Sequence, residues 1–121
     1  MKQTTLFQIL SDETRLRLLA LMGGEGELCV CEFVHSLGLS QPKISRHLAI
    51  LRAAEIIVPR RFAQWIFHRI NPALPHWESQ VIEAAVEGLR DETCVKEDRS
   101  RLENMTGRPP HRPSNPDGGH D

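Results

Sequence analysis

The chain has 121 residues, of which 40% are hydrophobic and 26% are charged, and its formal net charge is −1. This length and composition are typical of one small globular domain and exclude a multidomain enzyme. The chain has no run of about 18 apolar residues and no signal-peptide pattern, so we expect a cytoplasmic protein without a membrane partner.

The first three predicted elements are helices. A short helix over residues 4–10 precedes one over residues 12–22, which is predicted to end at Gly23–Gly24 because glycine commonly follows a helix C-terminus. A third helix is predicted over residues 29–37, and Gly38 is its stop signal. These helices and the next one supply most of the predicted core.

The fourth predicted helix, residues 41–54, has two different faces. Ile44, Leu48 and Leu51 are spaced as one apolar stripe, whereas the N-terminal part of the opposite face is polar and basic. The short turn before this helix is typical of a helix-turn-helix motif, whose second helix reaches base edges with its N-terminal part. For His47, a hydrogen bond to a neighbouring helix is an equal alternative to a base contact. The candidate DNA contacts are Ser40, Gln41, Lys43, Ser45, Arg46 and His47.

Two runs rich in apolar residues and arginine, residues 56–62 and 65–70, predict a β-hairpin wing. Pro59 restricts the first strand to the edge of a sheet, because proline has no N–H to donate. Residues 41–70 contain six basic residues and one acidic residue, which fits a phosphate-binding surface and, equally, a merely solvated face. The wing residues that are candidates for phosphate contacts, or are simply solvated, are Arg60, Arg61 and Arg69.

The C-terminal part of the chain predicts one long helix and a tail. Residues 77–95 carry a broad apolar stripe, which predicts either a dimerisation helix or packing against the core of the same chain. Residues 105–121 are predicted to form a disordered tail, because proline and glycine are frequent and apolar periodicity is absent. The predicted fold class is mainly α (α+β), with a winged helix-turn-helix domain over residues 1–104.

Two of the three cysteines, Cys29 and Cys31, are separated by a single residue. An odd number of cysteines is a poor basis for a disulfide framework. If both residues were helical, their side chains would point in opposite directions, and one thiophilic centre that bound both would distort the first turn of the third helix. This arrangement predicts a ligand-controlled switch. The alternative is that the thiols are small buried hydrophobic groups.

Four segments together resemble the arsenic-responsive branch of the ArsR/SmtB repressors, and the resemblance extends over about residues 5–90. The segments are residues 11–17, the Glu-Leu-Cys-Val-Cys-Glu sequence at 27–32, residues 40–48 and residues 65–69.

The resemblance implies a homodimeric repressor that binds double-stranded operator DNA, read as an imperfect inverted repeat, and dissociates when trivalent arsenic or antimony binds. It implies that Cys29 and Cys31 are ligands, and that no constitutive cofactor is needed. The third cysteine usual in this branch is replaced by Val34, so Cys94 is either a third ligand, from the same or the partner chain, or a free thiol.

A thiol-redox repressor is the alternative function, and an enzyme such as an arsenate reductase is disfavoured because C-x-x-C is absent.

Overall fold

The structure is a computed structural model and describes residues 1–110. It confirms the predicted winged helix-turn-helix, which combines helices with a small three-stranded antiparallel sheet. Within the described residues, no helix is both long and apolar enough to cross a lipid bilayer. In chain order the elements are α1 (Gln3–Leu10), α2 (Glu13–Glu25), β1 (Leu28–Cys29), α3 (Val30–Leu37), α4 (Gln41–Ala53), β2 (Ile57–Phe62), β3 (Trp65–Ile70), α5 (His76–Leu89) and α6 (Thr93–Glu103).

The sheet contains the predicted hairpin and one strand that the sequence pattern did not indicate. Its strand order is β1-β3-β2, so Pro59 lies on an edge strand as expected. Ala63 adopts a positive φ of 55° in the two-residue turn, which allows a tight hairpin without glycine. The additional strand β1 pairs Leu28 with His68 and Cys29 with Phe67. The start of α3 is therefore attached directly to the wing.

The helix-turn-helix motif consists of α3, a short turn and α4. Gly38 ends α3 in the left-handed conformation, with φ of 68°, which glycine adopts without steric cost. Ser40 then caps α4, because its hydroxyl accepts a hydrogen bond from the backbone N–H of Lys43. The predicted stripe of α4 is fully buried in the core, and it consists of Ile44, Leu48 and Leu51.

The predicted end of α2 at Gly23–Gly24 is wrong, because the helix continues through both glycines to Glu25 and ends at Gly26, which has φ of 92°. Gly23 has a packing role instead. A Cβ at this position would lie 2.7 Å from Cγ1 of Val86, so its absence allows α5 to approach α2 closely.

The predicted single helix over residues 77–95 is also wrong, because the chain breaks after α5 and α6 packs on the side of α3. Asp98 of α6 is fully buried and accepts hydrogen bonds from Arg17 of α2 and Arg101 of α6, with the shortest distance 2.7 Å. This buried ion-pair network joins elements that are distant in sequence. It places α6 against the helix-turn-helix motif.

Residues 105–110, the first part of the predicted tail, contact the domain in the structure. Met105 contacts the hydrophobic core, Pro109 is buried and Arg108 forms ion pairs with two glutamates. The domain therefore extends beyond the predicted boundary at residue 104. The remainder of the predicted tail, residues 111–121, lies outside the described residues.

Candidate nucleic-acid interface and thiol site

The N-terminal half of α4 presents a polar, basic face to solvent. Lys43 is half-buried, whereas the other four predicted contacts on this face are exposed. Because α4 packs its apolar stripe into the core, this face is oriented outward and is accessible to a DNA groove. The four exposed residues are Ser40, Gln41, Ser45 and Arg46.

His47 does not belong to this exposed face, since only 8% of its surface is accessible. Its Nδ1 accepts a hydrogen bond from Nη1 of Arg15 at 3.2 Å, and Nε of Arg15 donates to the carbonyl oxygen of Ile9 at 2.6 Å. Burial lowers the pKa of His47, with a further contribution from the nearby arginine. The hydrogen bond to a neighbouring helix, which was one of the two roles expected for His47, is therefore present and connects α4 to the α1–α2 corner.

The three wing arginines have different surroundings. Arg61 is exposed on β2. Arg60 forms a bidentate ion pair with Glu27, with a shortest distance of 2.6 Å, and its guanidinium lies 5.4 Å from the centre of the Phe67 ring. Arg69 is half-buried, lines a cavity of about 580 Å³ between α2 and α5, and has a buried Nε. Among these three residues, Arg61 is the best placed to contact a phosphate.

Arg52 is a basic residue that the sequence analysis did not select. It is exposed and lines a groove of about 360 Å³ between α4 and the hairpin, where its Nη1 lies 3.4 Å from Nε2 of buried His68. Burial, together with the charge of Arg52, lowers the pKa of His68 to about 4. The high basic content of residues 41–70 is the sequence signal from which Arg52 could have been identified.

Cys29 and Cys31 lie side by side, with 2.7 Å between their Sγ atoms. The expectation that their thiols point in opposite directions is wrong, because Cys29 is the extended N-cap of α3 and not a helical residue. Cys29 is buried and Cys31 is exposed. Burial, reinforced by the contact with Cys31, raises the pKa of Cys29 to about 12. The pair therefore presents two adjacent soft donors, one of which is open to solvent.

Two glutamate–arginine ion pairs lie on either side of these cysteines. Glu27 binds Arg60 of the wing, and Glu32 binds Arg108 of the C-terminal segment through Nε at 2.7 Å. The other carboxylate oxygen of Glu32 accepts a hydrogen bond from the backbone N–H of Cys29 at 2.8 Å, as part of a capping box. The thiol site is thus connected to the wing on one side and to the C-terminal segment on the other.

Cys94 is not brought to this pair within the described chain. It is half-buried at the start of α6 and interacts electrostatically with Arg17, whose guanidinium binds the carbonyl of Leu37 at the C-terminal end of α3. The other two cysteines lie at the N-terminal end of that helix. Residues 1–110 contain no group of three or more His, Cys, Asp or Glu side chains arranged to hold a metal ion.

Comparison with known proteins supports the same interpretation of the fold. Residues 12–58 match the family described as "Bacterial regulatory protein, arsR family". The chain is 45% identical to the arsenic resistance transcriptional regulator ArsR1 of Pseudomonas putida over 104 residues, which are 86% of this chain and 80% of the relative. The chain belongs to the ArsR family.

Two further similarities extend this assignment. The chain is 46% identical to the arsenical resistance operon repressor of Escherichia coli over 80 residues, 66% of this chain and 68% of the relative. The chain also aligns with the structure of the transcriptional repressor BigR from Xylella fastidiosa, with 32% sequence identity and a TM-score of 0.62. The alignment covers 78% of this chain and 85% of the BigR chain. As a member of the ArsR family, the chain is a DNA-binding transcriptional repressor and not an enzyme.

Proposed function

We propose that this ArsR-family chain represses an arsenical-resistance operon as a homodimer and dissociates from the operator when As(III) or Sb(III) binds to Cys29 and Cys31. The observation that carries the proposal is the position of the two thiols. They lie 2.7 Å apart where β1, which pairs with the wing, joins α3, the first helix of the helix-turn-helix motif. A ligand at this junction acts on both DNA-reading elements.

The operator contacts in this proposal come from the exposed face of α4 and from the wing. Gln41 reads adenine and Arg46 reads guanine in the major groove, while Arg61 of the wing contacts phosphate. In a symmetric dimer the two recognition helices lie about 34 Å apart and read two half-sites of an imperfect inverted repeat. Phosphate contacts also come from Ser40, Lys43, Ser45 and, less directly, from half-buried Arg69.

Exposed and half-buried apolar residues on α1 and α5 support the homodimer. Phe7 of α1 is 54% exposed, and Val81 and Leu89 of α5 are only half-buried within one chain. Burial of such a surface against a second copy removes it from water and is favourable by about 25 cal/mol per Å² of apolar area. Two-fold symmetry then gives each operator half-site its own recognition helix.

The thiol pair fits a trivalent thiophilic ligand. When arsenite binds, each As–S bond replaces an As–O bond, and each thiol hydrogen leaves with a hydroxyl group as water. The arsenic stays trivalent, no oxidant is required, and no proton is released to or taken from the solvent because each thiol proton combines with a hydroxyl group from arsenic. The third hydroxyl stays on arsenic or is replaced in the same way by Cys94 of a second copy.

Ligand binding weakens operator binding by changing the backbone around Cys29. This residue ends β1, opposite Phe67, and caps α3, so its displacement shifts α3 relative to the wing. Allosteric couplings are typically about 1 to 3 kcal/mol, and near-complete release requires more. A ligand shifts the equilibrium between the operator-binding and operator-free conformations only through its different affinities for the two, so As(III) or Sb(III) must bind the thiol pair more tightly in the operator-free conformation.

The test is operator affinity, measured by fluorescence anisotropy with and without arsenite, for the wild type and for Cys29→Ser and Cys31→Ser. Serine is a favourable N-cap residue, so Cys29→Ser removes the thiol while preserving the start of α3. We expect arsenite to weaken operator binding of the wild type and to have little effect on either variant. Release that is unchanged in both variants would refute the proposal.

The third ligand is tested separately by titrating the reduced protein with arsenite and counting the protected thiols in each chain. If Cys94 of a second copy is a ligand, three thiols are protected in the wild type and two in Cys94→Ser. Two protected thiols in both proteins confine sensing to Cys29 and Cys31.

A thiol-redox repressor is the second candidate function, and the contact between the two Sγ atoms is the observation that favours it. Oxidation needs a reactive thiolate, and burial of Cys29 disfavours the thiolate there. Operator release by peroxide but not by arsenite, lost in Cys31→Ser, would support this alternative and contradict metalloid sensing.

A further inference from the structure

The segment after α6 folds back onto the start of α3. Gly107 adopts a positive φ of 72°, a conformation that glycine accommodates readily, and the chain bends there. Met105 before the turn contacts the hydrophobic core, and Pro109 after it is buried. These contacts hold Arg108 beside the first turn of α3.

Arg108 binds a carboxylate that is inaccessible to solvent. Its Nε donates to Oε2 of Glu32 at 2.7 Å, and its Nη2 lies 3.4 Å from Oε1 of Glu25. Glu32 is fully buried, whereas the contact with Glu25 lies on the surface. A buried carboxylate depends strongly on charged hydrogen-bond donors, so the contact with Glu32 is the dominant one.

The same carboxylate holds the backbone of Cys29. Oε1 of Glu32 accepts the Cys29 N–H at 2.8 Å while Oε2 binds Arg108, so one side chain links the C-terminal segment to the thiol pair. The capping box keeps Cys29 extended, and this extended conformation brings its Sγ to within 2.7 Å of the Sγ of Cys31.

We propose that Arg108 and Glu32 are positioning residues of the thiol pair, so that residues 105–110 form part of the inducer site. The inference rests on the proposed metalloid function, but its structural part concerns the geometry of Cys29 without any ligand. Arg108 orients the carboxylate of Glu32, and Glu32 fixes the backbone of Cys29. Cys29 is therefore presented to the ligand in a preorganised conformation.

Removal of the Arg108 guanidinium loosens this arrangement. The buried carboxylate loses a charged donor at 2.7 Å and turns toward water, which weakens its hydrogen bond to Cys29. Cys29 then becomes more accessible and less well positioned next to Cys31. We expect Cys29 to be alkylated about tenfold faster in Arg108→Ala and arsenite affinity to fall by about the same factor.

Arg101→Ala is the matched control. Arg101 also reaches α3 from the C-terminal part of the chain, but its Nε donates to the carbonyl of Ser36 at the opposite end of the helix, at 2.7 Å. Both variants lose an arginine that anchors the C-terminal part to α3. Only Arg108→Ala loses a contact with the thiol site.

The experiment uses the full chain in reduced form. Alkylation of Cys29 and Cys31 by iodoacetamide is followed residue by residue with mass spectrometry, and arsenite affinity and melting temperature are measured on the same samples. Arg108→Lys is included because it retains a positive charge that reaches Glu32. We expect faster Cys29 alkylation and weaker arsenite binding in Arg108→Ala, substantial rescue in Arg108→Lys, and wild-type values in Arg101→Ala.

The outcomes separate the two proposals. If wild-type protein binds no arsenite but Arg108→Ala still exposes Cys29, the positioning role stands and metalloid sensing fails. If wild-type protein binds arsenite and Arg108→Ala matches it in both alkylation and affinity, the positioning role is overturned and sensing stands. The positioning role is also overturned if Arg108→Ala and Arg101→Ala change alkylation and arsenite affinity equally and in proportion to their loss of melting temperature. Such a result would indicate general destabilisation.

Discussion

His68 makes the stability of the domain depend on pH in a predictable direction. Its side chain is buried in the sheet, Nε2 faces the guanidinium of Arg52 at 3.4 Å, and Nδ1 is buried without a hydrogen-bond partner in residues 1–110. Burial, together with the charge of Arg52, lowers its pKa from 6.5 to about 4. The folded protein therefore holds this imidazole in its neutral form.

The magnitude follows from the two pKa values. Between pH 6.5 and pH 4 the unfolded chain binds a proton at this position and the folded chain does not, so the free energy of unfolding decreases as the pH falls. Each pKa unit corresponds to about 1.4 kcal/mol, and the full shift of His68 to about 4 corresponds to about 3 kcal/mol. The stabilising contribution is complete above pH 6.5 and lost below about pH 4.

His68→Leu removes the titrating imidazole and fills its position between the neighbouring strands with an apolar side chain. Urea unfolding is followed by tryptophan fluorescence at several pH values from 7.5 to 4, at one protein concentration because self-association of a protein makes its stability depend on concentration. Between pH 7 and pH 4 the wild type should lose about 3 kcal/mol more than the variant. His35→Ala, at an exposed position of α3, controls for the loss of an imidazole. Parallel pH profiles for wild type and His68→Leu would refute the reasoning.

Two further predictions concern helix packing and DNA recognition. Gly23→Ala places a Cβ 2.7 Å from Cγ1 of Val86. The resulting overpacking should cost about 1 to 3 kcal/mol of folding stability, which exceeds the gain of about 1 kcal/mol from the higher helix propensity of alanine, so we expect the melting temperature to fall. Gly24→Ala has open space around it and should raise the melting temperature, and a fall of equal size in both variants would contradict the packing argument. Arg46→Ala should weaken operator binding by about 1 to 3 kcal/mol and relax specificity at one base pair, which anisotropy with altered operators measures; uniform weakening across all operators would instead indicate a phosphate contact.

Local signals were sufficient to predict the helix-turn-helix motif. The apolar stripe of α4, its serine cap and the glycine after α3 are each encoded within a few residues. The exposed polar face followed from the same periodicity, since residues opposite a buried stripe point to solvent. His47 lies at the border of that face, so periodicity alone left both of its roles open.

Features that depend on distant partners were not predictable in this way. β1 is two residues long and exists because it pairs with β3, almost forty residues later in the chain. The break before α6 has no proline, and it accompanies the burial of Asp98 against Arg17. The placement of Arg108 beside Glu32 likewise joins residues that are 76 positions apart. Composition indicated a tail there because proline and glycine are frequent, and composition carries no information about the contacts that Met105, Arg108 and Pro109 make with the domain.

The position of Pro59 on the outer strand of the sheet bears on how the protein behaves when it is concentrated. An exposed strand edge offers unpaired N–H and C=O groups on which the strand of another molecule can be added, and sheets then grow from one molecule to the next. Pro59 has no N–H to offer, and Arg61 on the same strand adds an exposed positive charge. The opposite edge, β1, is only two residues long. The wing can therefore carry an exposed β-edge without polymerising.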